Sequence, residues 1–388
     1  MPNRSSSSDV VVVGAGAVGL AVAWRAAQRG LRVTVLERAD APGAGASAVA
    51  AGMLAPISET IATELPLMRL GLAGVDAYPG FVEELGDASG MDPGYRRCGT
   101  LLAARDGDEA EALGRELELR ESLGLAVYRL RSSEARRLEP ALAPALRLAL
   151  EIPDDHAIDP RKLSAALARA LTTAGGKLRT GAVVGEVTVT DGRVRGVRLT
   201  GGERLHAEHV VVAAGAWTEA VRGVPAGARV PIHPVKGQIL RLHDPAGPGL
   251  LTRVLRMTGG YMVPRGDGRY VLGATMEERG FDTTVTAGGA FELLRNAFEL
   301  LPSVTELVID ELSAGLRPAT PDNAPAIGPG SIPGLHWAVG HYRHGILLTP
   351  ITAELVAGAL SGDRADAIPD EFAPTRFAGV SVSAGVGA

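Results

Sequence analysis

Val10-Val11-Val12-Val13-Gly14-Ala15-Gly16-Ala17-Val18-Gly19, close to the start of the chain, carries more structural information than any other stretch. Four consecutive valines read as a strand buried on both faces. The glycines that follow predict a tight turn at Gly14, a close backbone approach to a pyrophosphate at Gly16 and close helix–strand packing at Gly19. An amphipathic helix opens there, with its N-terminal N–H groups and positive dipole end facing the phosphates. A second strand, Arg32–Leu36, comes next, and Glu37 stands at its end, eighteen residues after Gly19. A carboxylate at that point can accept hydrogen bonds from a ribose diol. A lone GxGxxG is a weak signal, but strand, glycine turn, helix and terminal acid together predict a dinucleotide-binding βαβ unit.

Composition narrows the setting. At 388 residues the length predicts two or three domains, and 46% hydrophobic content with a mean hydropathy of +0.13 supports a large core. The net charge of −5 gives no electrostatic case for a nucleic-acid partner. Only three cations are lysines (Lys162, Lys177, Lys236), so 36 are arginines and any single arginine is weak evidence of a site. One cysteine, Cys98, excludes an intramolecular disulfide framework, a CxxC pair and a cysteine-rich metal or cluster site. No segment offers about 18 unbroken apolar residues for a membrane span, and none near the start resembles a secretory signal. The expectation is a cytoplasmic protein.

Residues 1–8 read as a polar arm and residues 379–388 as a frayed tail. Between them the sequence predicts a charged helix around Asp108–Leu123 with a solvated face, and a hairpin at Asp191-Gly192 joining Leu178–Thr190 to Arg193–Leu199. Further strands are expected at His209–Ala213, Gly237–Leu242, Tyr261–Pro264, Tyr270–Ala274 and Leu307–Leu312. Helices are expected near Gly289–Leu301 and from Ile346 to Leu360. The fold class is α/β: a Rossmann-type nucleotide-binding domain with a discontinuous mixed-sheet α+β second domain. The approximate division gives 1–90, 145–230 and 310–388 to the first, and 91–144 and 231–309 to the second.

The fingerprint leaves NAD and FAD open. The run Ala44-Gly45-Ala46-Ser47 and Ala48–Met53 is rich in small residues, which suits either close approach to a bulky flat ligand or a plain Ala/Gly connector. The ordered set GAGAVG, LERAD, SAVAAGM, VVVAAGAW, AGLRPATPDNAPAIG and GHYRHGILLTP, from Val10 to about Leu360, resembles the FAD-dependent D-amino-acid-oxidase superfamily and, within it, the glycine oxidases of the thiamine pathway. By that resemblance FAD contacts fall on Gly14, Gly16, Ala17, Val18 and Gly19 at the phosphate turn and on Glu37 and Arg38 at the ribose. Gly45 and Ala46 lie beside it, Ala51, Gly52 and Met53 near the flavin, and Val184 at the adenine. The segment His341, Tyr342, Arg343, His344, Gly345, Ile346 and Leu347 wraps the isoalloxazine edge. The helix expected from Ile346 would point its N-terminus at the flavin pyrimidine carbonyl.

A hydride-transferring flavoenzyme needs the substrate's Cα–H held over the ring, and the carboxylate is the handle for that. Arginine alone offers a planar, always-charged, bidentate partner. Arg317, in Ala314-Gly315-Leu316-Arg317-Pro318, is the leading candidate, at a point where the strand is expected to break at glycine with Pro318 blocking the ladder. Taken alone it reads as a surface arginine; the resemblance implies that it binds the substrate carboxylate. Tyr261 and Met276, each a packing residue in isolation, are implied as walls of a pocket fitted to glycine, sarcosine or a small D-amino acid. Arg343 is implied to touch substrate as well as flavin. His344 departs from the residue, often Asn, usual there, and reads as a surface imidazole. Lys236 receives no role in oxygen activation, and His156 and Asp159 are not a dyad, since Asp159 caps the helix starting at Arg161. The resemblance implies that the Cα hydrogen leaves as hydride, so no base is assigned.

The implied function is oxidation of glycine or another small amine to the imine and then glyoxylate, with ammonia and hydrogen peroxide as products and oxygen as acceptor. A D-amino-acid or 2-hydroxy-acid dehydrogenase passing electrons to a quinone, and a flavin-binding protein without activity, are the alternatives. Relatives are often tetramers, so the resemblance implies a homo-oligomer. Small amino-acid substrate and oxygen are the expected partners, with no nucleic acid and no metal.

Overall fold

The computed structural model describes residues 8–362 and 368–379. The expected polar arm lies outside them except for Ser8, and the expected tail lies outside them except for Gly379.

Strand β1 (Ser8–Val13), helix α1 (Ala17–Gln28) and strand β2 (Val33–Leu36) form the predicted unit. β1 lies at the centre of an eight-stranded sheet, parallel to β2 on one side and to Arg204–Val212 on the other. Lys177–Arg179 extends the sheet beyond β2, and Leu335–Val339 pairs in parallel with Arg204–Val212. Val10 to Val12 are wholly buried, as a two-sided parallel strand requires. α1 is buried along most of its length because Ala21, Ala23, Ala26 and Ala27 let helices Pro160–Thr173 and Thr349–Ser361 pack closely on it. The Asp191-Gly192 hairpin forms, with Asp191 and Gly192 both at positive φ, but the strand expected from Leu178 to Thr190 is split: only Val184–Thr190 pairs with Arg193–Leu199, and Lys177–Arg179 lies beside β2.

A second eight-stranded sheet runs Val308–Ala319, His233–His243, Arg269–Gly273, Gly260–Pro264, Val254–Met257, Thr100–Ala104, Leu148–Ile152, Tyr128–Leu130. It is antiparallel except where Val254–Met257 meets Thr100–Ala104. Helix Ala287–Leu300 packs its apolar side on this sheet. Leu148–Ile152 and most of Val308–Ala319, which the approximate division gives to the nucleotide-binding portion, pair in this second sheet.

Three local expectations change. The strand before Arg317 does not break at glycine: it runs to Ala319, with Pro318 directly opposite Pro234 on the neighbouring strand. Two prolines face each other there, so neither strand needs an N–H at that pair, and the strand lies at the sheet edge. The last helix begins at Thr349 rather than Ile346, after a short 3₁₀ turn at Tyr342–His344. The charged helix spans Gly107–Ser122, but its face is not wholly solvated, because Arg120 is 1% exposed. Helix Leu65–Ser89, 25 residues long with Pro79 inside it, has no counterpart in the sequence reading. Its Gly74 lies so close to the chain at Leu347 that a Cβ there would stand 2.9 Å from the Leu347 carbonyl oxygen.

Candidate active site

A cavity of about 590 Å³ opens where the two sheets meet. One end is the glycine turn. Gly14 has φ +106°, and a Cβ on it would stand 2.4 Å from the Ala213 carbonyl oxygen; one on Gly19 would stand 2.1 Å from that of Gly14. Only glycine lets β1, α1 and the end of Arg204–Val212 approach so closely. A Cβ on Gly16 would meet nothing nearer than Ser47 Oγ at 3.4 Å, so that face of the turn is open to the cavity. At the start of α1 the Ala17 N–H donates to Ser47 Oγ at 3.0 Å, and the N-cap, Gly16, has no side chain to occupy the amides that follow, which leaves them for an anion. Glu37 is 9% exposed; its Oε2 accepts the Ala15 N–H at 2.7 Å and its Oε1 the Ala39 N–H at 2.9 Å. Both oxygens keep lone pairs for a diol. The Arg38 guanidinium lies 3.7 Å above the Trp217 ring, which also packs on Phe281 at 4.5 Å between centroids.

The small-residue run forms the side wall. Gly45, Ala46, Ala51, Gly52 and Met53 all line the cavity, as do Ala17, Val18 and, at the far edge, Val184. Arginines hold the carbonyls of this wall. Ala48 O accepts from Arg161 Nε at 2.9 Å and Arg241 Nη2 at 2.7 Å, and Ala51 O accepts from Arg265 Nη2 at 2.8 Å. Burial lowers Arg265 to about 10, so it still carries its charge at neutral pH.

At the other end Arg317, Tyr261 and Arg343 line the same cavity. Arg317 Nη1 donates to the carbonyls of Lys236 and Thr275, each at 3.2 Å, and the guanidinium lies flat over Gly237. Burial pushes the Tyr261 phenol up while Arg317 beside it pulls the other way, leaving it a proton donor at neutral pH. Arg343 reaches Glu64 only at 3.9 Å, and its buried Nε has no partner. Tyr342, at φ +47°, donates to Met276 Sδ at 3.2 Å.

His341, Tyr342, Gly345 and Ile346 touch the cavity, whereas His344 and Leu347 do not. His344 is buried rather than on the surface, 7% exposed, with Nδ1 3.7 Å from Glu59 Oε2. Burial lowers its pKa, Glu59 opposing, and it is neutral at pH 7. His341 bonds Thr352 Oγ1 at 3.0 Å and is lowered to about 3 by burial. Met276 is 63% exposed and stands outside the wall, reached through Tyr342. The Thr349 helix start lies behind the cavity, which touches the chain no further than Ile346 in this segment.

Lys236 points away from the cavity, 1% exposed, towards Asp282 at 3.2 Å and Glu277 at 3.4 Å. His156 packs on Tyr95, and Asp159 caps its helix by accepting the Arg161 N–H at 3.0 Å, as the sequence predicts. Sequence reasoning missed Glu59, Trp217, Gly237 and Thr283, which all line the cavity. Trp217 alone carried a signal, as the aromatic closing VVVAAGAW.

An open glycine turn, an acid at the end of β2 and a long small-residue wall in one cavity fit a dinucleotide. This defines a dinucleotide-binding protein. The chain belongs to the FAD dependent oxidoreductase family, whose model matches residues 9–359. It is 36% identical over 95% of its length to the bifunctional protein ThiO/ThiG of Trichormus variabilis, covering 55% of that protein. The chain thus spans about half the length of such bifunctional relatives. It is 37% identical to the glycine oxidase of Geobacillus kaustophilus, over 90% of this chain and 92% of that one. The crystal structure of that organism's glycine oxidase superposes with a TM-score of 0.89 at 35% identity, covering 96% of this chain and 99% of that one. A third relative, the iminodiacetate oxidase of Chelativorans, superposes at 0.84 with 30% identity, covering 94% and 98%. FAD is accordingly the cofactor, and the residues around the cavity fit it.

Proposed function

We propose that this chain oxidises glycine, or a comparably small amine such as sarcosine or a small D-amino acid, within thiamine biosynthesis. From glycine the products are the imine, hydrolysed to glyoxylate and ammonia, and hydrogen peroxide. The observation that carries this reading is Arg317: a guanidinium fixed by two carbonyls in the same cavity as the dinucleotide turn. Bound FAD supplies the two-electron acceptor. Arg317 takes the substrate carboxylate in a bidentate pair, and the Tyr261 hydroxyl donates to the same group. Arg343 adds positive charge from the opposite wall. Met276, held by Tyr342, covers the mouth. No side chain is asked to remove the Cα proton, since hydrogen and electron pair leave together.

On this reading the phosphates lie on Gly14–Gly19, the ribose on Glu37 and Arg38, the adenine by Val184, and the flavin along Gly45–Met53 and beside His341, Tyr342, Gly345 and Ile346. The first sheet is the Rossmann-type FAD-binding portion and the second the substrate portion. A cytoplasmic homo-oligomer, tetrameric as in relatives, completes the proposal. Among the described residues no helix is long and apolar enough to cross a membrane. Anaerobic addition of glycine is expected to bleach the flavin absorbance. A spectrum unchanged by glycine, sarcosine and D-alanine overturns the proposal. Stoichiometric peroxide on re-aeration distinguishes oxygen from a quinone as acceptor.

A further inference from the structure

The turn Pro56–Glu59 is gripped from behind in a way the proposed reaction leaves unexplained. Asp155, wholly buried, accepts the Ile57 N–H at 3.0 Å and the Ser58 N–H at 2.7 Å, one on each carboxylate oxygen. Arg120, equally buried, donates to the Ile57 carbonyl at 2.9 Å and the Ser58 carbonyl at 2.7 Å. Arg256 also donates to the Ser58 carbonyl. Both polar groups of two consecutive peptide units are thereby tied to buried ions. None of these three side chains lines the cavity, whereas the next residue, Glu59, does.

Burying two ions, Asp155 and Arg120, to fix one turn is costly unless the turn's position matters. What it positions is a carboxylate. Burial raises the Glu59 pKa, but the guanidiniums of Arg256, Arg343 and Arg317 lower it by more, so Glu59 is ionised at neutral pH. Among the side chains that line the substrate end of the cavity, two guanidiniums (Arg317, Arg343) therefore stand against one carboxylate (Glu59). With His344 neutral, one positive charge is left over. A ligand carrying one carboxylate balances it. A second carboxylate would leave an uncompensated negative charge in a partly desolvated cavity that already contains Glu59.

We infer that Glu59, held in place by Asp155 and Arg120, determines substrate charge by admitting one carboxylate at Arg317 and rejecting a second. The inference rests on the proposed role of Arg317 and adds a selectivity that this role does not require. Like-charge juxtaposition is a general means of excluding wrong ligands, and it acts without touching the correct one.

The test uses ligands that lack an amine and so cannot be turned over as amines: diglycolate, a dicarboxylate ether, and its monoamide, which has the same shape and one charge fewer. Dissociation constants come from perturbation of the flavin spectrum of the holoprotein. The wild type is expected to bind the monoamide about tenfold or more tightly than diglycolate. Glu59→Gln is expected to narrow that gap to within about threefold, and Glu59→Asp, which keeps the charge, to preserve most of it. In the wild type alone, raising salt to about 0.5 M is expected to narrow the gap too, so the test survives a variant that does not fold. No gap in the wild type, or the same gap in Glu59→Gln, overturns the inference. Glycine turnover is assayed in parallel; a charge gap without glycine oxidation overturns the proposed reaction alone.

Discussion

Gly237→Ala is the sharpest single perturbation of the proposed carboxylate site, because it adds one methyl group directly beneath Arg317. The Cβ would stand 2.4 Å from Nη2, 2.5 Å from Nη1 and 2.6 Å from Cζ, where ordinary contact begins near 3.4 Å. The guanidinium must therefore retreat by about 1 Å from the position its two carbonyl acceptors define. Gly237 is paired within a long strand opposite Gly315 and has no left-handed φ, so the backbone accepts alanine. The cost falls on the mobile side chain, and the fold should survive. A misplacement of that size at a positioning group costs about 10²-fold, and loss of a charged hydrogen bond costs about 1.5–3 kcal/mol, roughly 10- to 150-fold. Steady-state peroxide formation with glycine is expected to show kcat/KM reduced by about 10- to 100-fold, mostly through KM, with flavin content and Tm near wild type. Arg317→Ala should fall at least as far. A folded, flavin-loaded Gly237→Ala protein with the wild-type KM for glycine would refute the placement of the carboxylate on Arg317.

Glu37→Gln removes a charged acceptor from the nucleotide end; FAD should bind the apoprotein about tenfold more weakly by fluorescence titration, and an unchanged Kd would take Glu37 out of the ribose contact. Tyr342→Phe deletes the hydrogen bond to Met276 Sδ, so kcat/KM for D-valine relative to glycine should rise a few-fold as the mouth loosens, and an unaltered ratio would leave Met276 without a covering role. Asp155 is raised from 3.8 to about 6 by burial, against the opposing N–H groups of Ser58 and Ile57 and the charge of Arg256. The native state thus holds more protons than the unfolded state between those values. The stabilising contribution is complete below about pH 4 and is lost as pH rises through about 6, by roughly 3 kcal/mol in all. Urea unfolding should show wild-type stability, measured relative to Asp155→Asn, falling by that order between pH 4 and 7; parallel pH profiles would contradict it.

The β1–α1–β2 unit was legible because its evidence is local: a valine run, glycines at fixed offsets and an acid after the next strand. Helix Leu65–Ser89 was not, because Gly71, Gly74, Gly80 and Pro79 read as breakers. The spacing at Gly74 answers to the Leu347 carbonyl, a neighbour more than 270 residues away in sequence. Arg120 shows the opposite error. Its neighbours in sequence are charged, so the helix reads as solvated, yet the one arginine on its inner face lies under the Ile57–Ser58 turn. Glu59 had no signal at all. It sits in an irregular turn without periodicity, and what fixes it is a carboxylate 97 residues from Ser58. Arg317 became a candidate only through motif resemblance, and the expected strand break beside it does not occur.

Several of the arginines that blurred the sequence reading have a structural task. Beside the cavity, the short helix Ala46–Val49, the segment Ala50–Gly52 and the turn Pro56–Glu59 carry carbonyls that no sheet ladder serves. A buried carbonyl must be satisfied, and a guanidinium can serve two at fixed angles, as a lysine ammonium cannot. Arg120, Arg241, Arg256 and Arg265 each donate to a carbonyl of this chain. Arg317 is bonded in the same manner, to Lys236 and Thr275, so hydrogen bonding alone does not set a ligand-binding arginine apart from a structural one. The difference is that Arg317 still faces the cavity after both carbonyls are served, because Gly237 beneath it lets the fork lie flat. The residue that makes the site is thus as much the glycine as the arginine, and a search for binding arginines in such a sequence should weigh the glycines on the neighbouring strand.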